Sequence, residues 1–258
     1  MDCYDAPALW DLAFSDETRP EADFLQWMIE ESLQLKTASV LDIGCGGGRQ
    51  VIEMARRGFQ VTAIDLNSEC VAETRRKARR RALQATVVEA DMADFQLPQT
   101  FDLAHCLVNT FRHLTTESAA RAHLQCVARA LKPGGLYVLG FHLLPPDALE
   151  MDCERWTLVK GRRRVTTTVR VLDFSRRKRI EIVRFSLKVT TPNRVLRLSS
   201  DHQLRIYRAD QFRSLLRSVP EFELTGVYDF CYDPEQSFPL DDQLGDTVVV
   251  LKKICRSE

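Results

Sequence analysis

The sequence has no apolar run near the roughly 18 residues needed to cross a bilayer. It also has no net charge, since 36 Lys and Arg balance 36 Asp and Glu. Its acidic opening, "MDCYDAPALWDLAF", lacks the basic-then-apolar order of a secretory leader. The 8 cysteines are scattered, with no Cys-x-x-Cys pair and no Cys/His cluster at zinc-ligand spacing. A membrane partner, a bound metal and a disulfide framework are therefore not expected, and reduced thiols in a cytoplasmic protein are. There is no internal repeat or low-complexity segment. What is present is 258 residues, 45% hydrophobic and 28% charged. That is an ordinary globular balance, long enough for one large domain or one domain with an insertion.

The charge is unevenly placed. Residues 160–208 hold 15 Lys and Arg against 3 Asp and Glu, and a second basic knot, "RRKARRR", covers residues 75–81. Such asymmetry can mark a nucleic-acid surface. A solvated face explains it as well: in "RIEIVRFSLKV" and "VLRLSSDHQLRIY" the bases fall at alternate, solvent-facing positions.

Short apolar runs alternate with helical patterns up to residue 145. Candidate strands are 39–43, 60–64, 86–89, 101–108 and 136–141, near-continuous apolar runs of the kind covered on both faces. Asn67 and Thr116 are placed to cap helices, the second ending at "KPGG", and Pro20 suits a first helical turn. The alternation implies right-handed crossovers and a doubly wound parallel sheet. After Pro145 and Pro146 the pattern changes to long polar–apolar alternation over 164–172, 179–190 and 195–207. This predicts a three-stranded antiparallel β-insertion with one wet face. A helix and two final strands, 223–230 and 246–251, complete the chain.

The first strand runs into "DIGCGGGRQ", in which Asp42 precedes Gly44, Cys45, Gly46, Gly47 and Gly48. Glycines at such a joint let backbone N–H groups approach a ligand. A dinucleotide loop wants G-x-G-x-x-G, but here the pattern is G-x-G-x-G and Arg49 stands at the last glycine position. A carboxylate at Asp42 would repel a pyrophosphate and suits a cationic ligand instead. Asp65 ends the second strand about 20 residues later, placed to accept both hydroxyls of a ribose. Asp91 and Met92 follow the third strand, where a carboxylate can take an adenine amine and Met can lie on its face. Together they imply an adenosine ligand with a cationic centre and no pyrophosphate.

The pieces "VLDIGCGGG", "VTAIDLN", "EADM", "FDLAHCLVNTFRHL" and "LKPGGLYVLGF" resemble the successive motifs of class I S-adenosylmethionine-dependent methyltransferases. The likeness covers about residues 9–143 and, less distinctly, the C-terminal hairpin. It implies S-adenosyl-L-methionine as cofactor. It also implies a three-layer α/β fold with a seven-stranded sheet of order 3-2-1-4-5-7-6, strand 7 antiparallel. Residues 1–145 and 209–258 would then be the cofactor-binding domain, and 146–208 a β-insertion roofing the substrate pocket.

Within the class, "CLVNTFRHL", "LWDLAFSDETRPEADFL" and the insertion resemble small-molecule N-methyltransferases of the glycine and amino-sugar type. Carried over by position, Trp10 packs on the cofactor and Arg19 binds its carboxylate. Gly44, Asp65, Asp91, Met92 and Leu107 line it, with Asp42, Cys45, Gly46 and Leu66 completing the set. Asn109 and His113 stand beside the transferred methyl, and Tyr207 closes the pocket. His142 falls where the glycine enzyme has a carboxylate-binding arginine, which argues against glycine as acceptor.

His113 and His142 both lie past strand ends and are the candidates for a base or a substrate contact. The expected function is methylation of a small molecule, nitrogen favoured over oxygen, by a monomer or small homo-oligomer. One alternative is an RNA or protein methyltransferase gripping its substrate with the basic insertion; the lack of interleaved exposed aromatics weakens it. Another is a non-catalytic cofactor-binding regulatory module, against which the intact cofactor constellation argues.

Overall fold

The computed structural model describes residues 3–145, 148 and 152–254. Residues 146, 147 and 149–151, where the expected insertion begins, and 255–258 lie outside the described residues. Helices α1 (Pro7–Ala13) and α2 (Thr18–Trp27) lead into β1 (Ser39–Ile43), α3 (Arg49–Arg56), β2 (Gln60–Asp65) and α4 (Ser68–Arg80). Then come β3 (Ala85–Glu89), β4 (Phe101–Cys106), α5 (Glu117–Ala130) and β5 (Leu131–His142). Strands β6 (Cys153–Lys160), β7 (Arg163–Ser175), β8 (Ile180–Thr191) and β9 (Arg194–Arg205) form a second sheet. The chain closes with α6 (Ala209–Arg217), β10 (Phe222–Tyr228) and β11 (Asp246–Lys253).

The main sheet has seven strands in the order 3-2-1-4-5-11-10, with β1 to β5 parallel and β11 antiparallel to both its neighbours. This is the expected topology, β10 and β11 being its sixth and seventh strands. Its central strands are buried on both faces, which is why they read as unbroken runs such as "VLDI". The caps also fall where expected. Asn67 Oδ1 accepts the Glu69 N–H at 2.8 Å, and Thr116 Oγ1 accepts the Ala119 N–H at 3.1 Å. Each cap contributes about 1 kcal/mol.

Two expectations need correction. "KPGG" does not separate α5 from β5 but lies inside β5, which already pairs with β4 at Leu131. Gly134, at φ +79°, and Gly135, whose missing Cβ would stand 3.0 Å from two backbone carbonyls, let the strand bulge there. The insertion has four strands, in the order β6-β7-β8-β9, where three are predicted. The fourth, β6, is an edge strand on which only Trp156 and Leu158 are even half-buried, so it carries little apolar alternation to read.

The insertion meets the main domain largely through the N-terminal segment. Cys3, Ala13 and Phe14 are buried against Val183, Phe185 and Leu187, the alternate inward residues of β8. Trp156 Nε1 donates to the Ala13 carbonyl at 2.9 Å. A direct link joins Arg112, after β4, to Glu181 of β8 by a buried ion pair of 2.5 Å.

Candidate active site

The carboxyl ends of β1 to β4 meet beneath the N-terminal segment around a cavity of about 680 Å³. That is ample for a small organic ligand. Its floor is the loop from β1 to α3. Gly46, at φ +54°, has open space where a Cβ would project, and its N–H donates to Asp65 Oδ2 at 2.7 Å. Its neighbours are glycine for a different reason. A Cβ on Gly47 would stand 2.7 Å from the Asp11 carboxyl, and one on Gly48 2.6 Å from Thr74. Lys77 fixes that close approach, donating to Asp11 at 2.5 Å and to the Gly47 carbonyl at 2.9 Å. Gly44 is as tightly packed, against Thr110, so the loop packs against its own chain at three glycines and only Gly46 has open space beside it.

Three of the cavity's carboxylates, Asp42, Asp65 and Asp91, stand at or just past the ends of β1, β2 and β3. Asp65 also accepts the Asn67 N–H at 2.9 Å; burial raises its pKa while the two backbone donors pull it back. Asp91 accepts the Ala93 N–H at 2.8 Å. Asp42 is the most deeply set. Burial pushes its pKa up to about 8, against the pull of the nearby Arg49 guanidinium. Across the β1–β4 ladder stands His105, its Nδ1 3.7 Å from Asp42, beyond hydrogen-bond reach. Burial lowers the His105 pKa to about 3, so the ring is neutral, and its Nε2 is buried with no partner among the described residues. Burial also works against the charge on Arg49, but Glu21, 2.6 Å away, overrides it.

The roof is aromatic. Trp10 packs on Tyr4 and Phe14, each at 4.9 Å between ring centroids, and on Phe185 of the insertion at 5.2 Å. The Tyr4 hydroxyl and His113 Nε2 are 3.0 Å apart, and the His202 ring lies 4.5 Å from Tyr4. The loop carrying His113 leaves β4 through Val108 and Asn109 at φ +53° and +64°. A β-branched residue in that region is strained, and Val108 lines the cavity.

The structure brings together Trp10, Asp42, Gly44, Cys45, Gly46, Asp65, Leu66, Asp91, Met92, Leu107 and His113 around this one cavity. It does not bring four other candidates there. Arg19 lines an adjoining basic cleft with Lys77, Arg81 and Arg162, which meets this cavity only at Asp11 and Arg49. Asn109 instead clamps the loop to β5, its Oδ1 accepting the His142 N–H at 2.8 Å. His142 pairs with Asp246 at 2.9 Å and sets its ring edge on Phe230. Tyr207 is fully buried beside Phe111, its hydroxyl accepting from Arg205 at 3.1 Å.

Tyr4, Asp11 and Thr110 line the cavity without having been singled out in the sequence. Tyr4 and Asp11 carry no local signal, because contacts more than 60 residues away place them. His105 had a signal, being level with Asp42 once β1 and β4 are paired.

This donor set fits the implied cofactor. The carboxylates suit a cationic ligand with a diol and an amine, with Leu66, Met92 and Leu107 as apolar walls. A pyrophosphate would find the Gly46 N–H already given to Asp65. The comparisons with known proteins agree. Residues 40–135 match the model of a methyltransferase domain. The cypemycin N-terminal methyltransferase of a Streptomyces species is 28% identical over 229 residues, 87% of this chain and 88% of that protein.

The chain carries a methyltransferase domain and has the fold of S-adenosylmethionine-dependent methyltransferases.

A ubiquinone biosynthesis O-methyltransferase of Xanthomonas oryzae pv. oryzae is 38% identical, but over only 42% of this chain and 44% of its own length. Among solved structures, an S-adenosylmethionine-dependent methyltransferase from Clostridium acetobutylicum superposes with a TM-score of 0.78 at 17% identity. That match covers 98% of this chain and all of the other, and extends the likeness in fold to the insertion.

Proposed function

We propose that this methyltransferase transfers a methyl group to an amine nitrogen of a small molecule bound between the strand ends and the Tyr4–His113 pair. The observation that carries the reading is that one cavity joins the carboxylate floor to this polar pair in the roof. S-adenosyl-L-methionine, when bound, supplies a methyl on a sulfonium whose departure leaves a neutral thioether.

Asp65 takes the ribose hydroxyls, Asp91 the adenine amine, and Met92, Leu66 and Leu107 enclose the base. Asp42 faces the cationic part of the ligand, which favours its ionised form. Arg49, rather than Arg19, is the arginine within reach of the cofactor carboxylate, because it lines the same cavity. Trp10 and Phe14 exclude water and help hold the acceptor in line. The Tyr4–His113 pair receives the proton that an ammonium acceptor must shed before its lone pair can attack. Strands β6 to β9 close the site from above through the N-terminal segment.

Nitrogen is preferred over oxygen because of what the relatives share. The N-terminal methyltransferase aligns through the insertion as well as the cofactor domain, whereas the O-methyltransferase aligns over less than half the chain. An acceptor panel of small primary amines and matched alcohols, followed by product mass, tests this. Methylated amines are expected; methylation of alcohols alone would overturn the nitrogen assignment. Calorimetry with S-adenosylhomocysteine tests the cofactor site independently.

A further inference from the structure

Away from the cofactor cavity, where β8 and β9 meet α6, a surface cleft of about 740 Å³ is lined by Arg179, Arg205, Arg208, Arg217, Ser214 and Glu117. Its charges do not balance. Arg179 Nη1 and Arg205 Nη2 converge on one oxygen, Glu117 Oε2, at 3.0 Å and 2.6 Å. Arg208 pairs with Asp210 at 2.8 Å. Four guanidiniums therefore share two carboxylates in this cleft.

The hydrogen bonding does not balance either. Arg179 Nη2 and Arg208 Nε are buried and have no partner among the described residues. Leaving such donors unmet is costly. Both guanidiniums next to Glu117 are also held in place, Arg179 lying 4.8 Å and Arg205 5.4 Å from the Tyr207 ring centroid. Arg205 is further fixed by its bond to the Thr115 carbonyl at 2.7 Å. Positioned arginine forks with spare donors match a tetrahedral oxyanion of charge about two, which accepts several N–H bonds at once. The Ser214 hydroxyl adds one more donor to the same cleft.

We infer that this cleft is a binding site for a phosphate group, separate from the methyl-transfer site. The phosphate is either free or carried as a monoester on a small molecule. The loop from Thr110 to Glu117 runs between the two sites, carrying His113 on the cavity side and Glu117 on the cleft side.

The test is calorimetric titration of the full chain, saturated with S-adenosylhomocysteine, using inorganic phosphate and separately glycerol 3-phosphate at constant ionic strength. Saturable binding in the millimolar range or tighter is expected, weakened at least tenfold by the double substitution Arg208→Ala and Arg217→Ala. Arg217 is exposed and Arg208 half-exposed, so the fold should survive, and unchanged S-adenosylhomocysteine affinity checks this. Arg179→Lys, which keeps the charge but loses the fork, should weaken phosphate binding by a smaller factor. Tighter binding of glycerol 3-phosphate identifies an organic phosphate as the natural ligand; tighter binding of inorganic phosphate identifies the free ion. Unsaturable binding, or binding that the double substitution leaves unchanged, overturns the assignment.

Discussion

The floor and the roof of the active site are built in opposite ways. The floor comes from neighbouring strands, so Asp42, Asp65 and Asp91 arrive at one edge simply because β1, β2 and β3 are adjacent and parallel. The roof joins residues far apart in the chain: Tyr4 from the N-terminus, His113 from the loop after β4, and Phe185 and His202 from the insertion. A floor made by sheet topology tolerates variation in its surroundings. A roof made by long-range packing depends on every partner, and that is where an enzyme of this fold can change its acceptor.

If that contrast holds, damage to the roof should cost stability and damage to the floor should cost binding. The largest effect is expected from Glu181→Ala. It leaves Arg112 buried and unpaired, which should cost about 3–5 kcal/mol, read as a lower midpoint in urea unfolding. A loss under about 1 kcal/mol would show that the insertion is not anchored through this pair.

Next come the floor residues. Asp65→Ala should weaken S-adenosylhomocysteine at least tenfold, about 1.4 kcal/mol, with little change in unfolding midpoint. Unchanged affinity would mean the ribose lies elsewhere.

Asp42 should give the floor a pH signature. With its pKa near 8 in the free protein, only a minor fraction is ionised at neutrality. A cationic ligand that needs the carboxylate should therefore bind at least tenfold more tightly as the solution goes from about pH 6 to pH 8. In Asp42→Asn that slope should vanish from the calorimetric affinities. The stability of the free protein runs the other way. The folded pKa lies above the ordinary value of 3.8, so the contribution of Asp42 is fully present below about pH 4 and is lost as pH rises through 8. Asp42→Asn should flatten that decline in melting temperature.

The smallest effect is expected at the roof's polar pair. Tyr4→Phe removes one hydrogen bond to His113, about 1 kcal/mol, so methyl transfer should slow roughly fivefold while cofactor affinity stays the same. A matching drop in cofactor affinity would place Tyr4 with the floor and erase the distinction.

Much of the floor was legible in the sequence because it depends on local patterns. A buried strand, a glycine joint and an acid at the next strand end are each a short stretch, and the sheet order then puts them together. Strand-end position also picked out His113, and the family resemblance supplied Trp10. The resemblance pointed to Arg19 for the cofactor carboxylate, whereas Arg49, held by Glu21 at the start of α3, is the arginine that lines the cavity. The resemblance also did not foresee that Asn109 would be occupied by the His142 backbone, or that Tyr207 would stack in the core beside Phe111.

By itself, then, the sequence determined the parallel strands and the carboxylates at their ends, because periodicity and strand-end position are local properties of a chain, while the order of the strands was what the family resemblance implied. Only the tertiary structure decided what covers that edge. Tyr4, Asp11 and β8 meet there through buried contacts between distant segments, and no local pattern encodes which distant surface a segment will bury against.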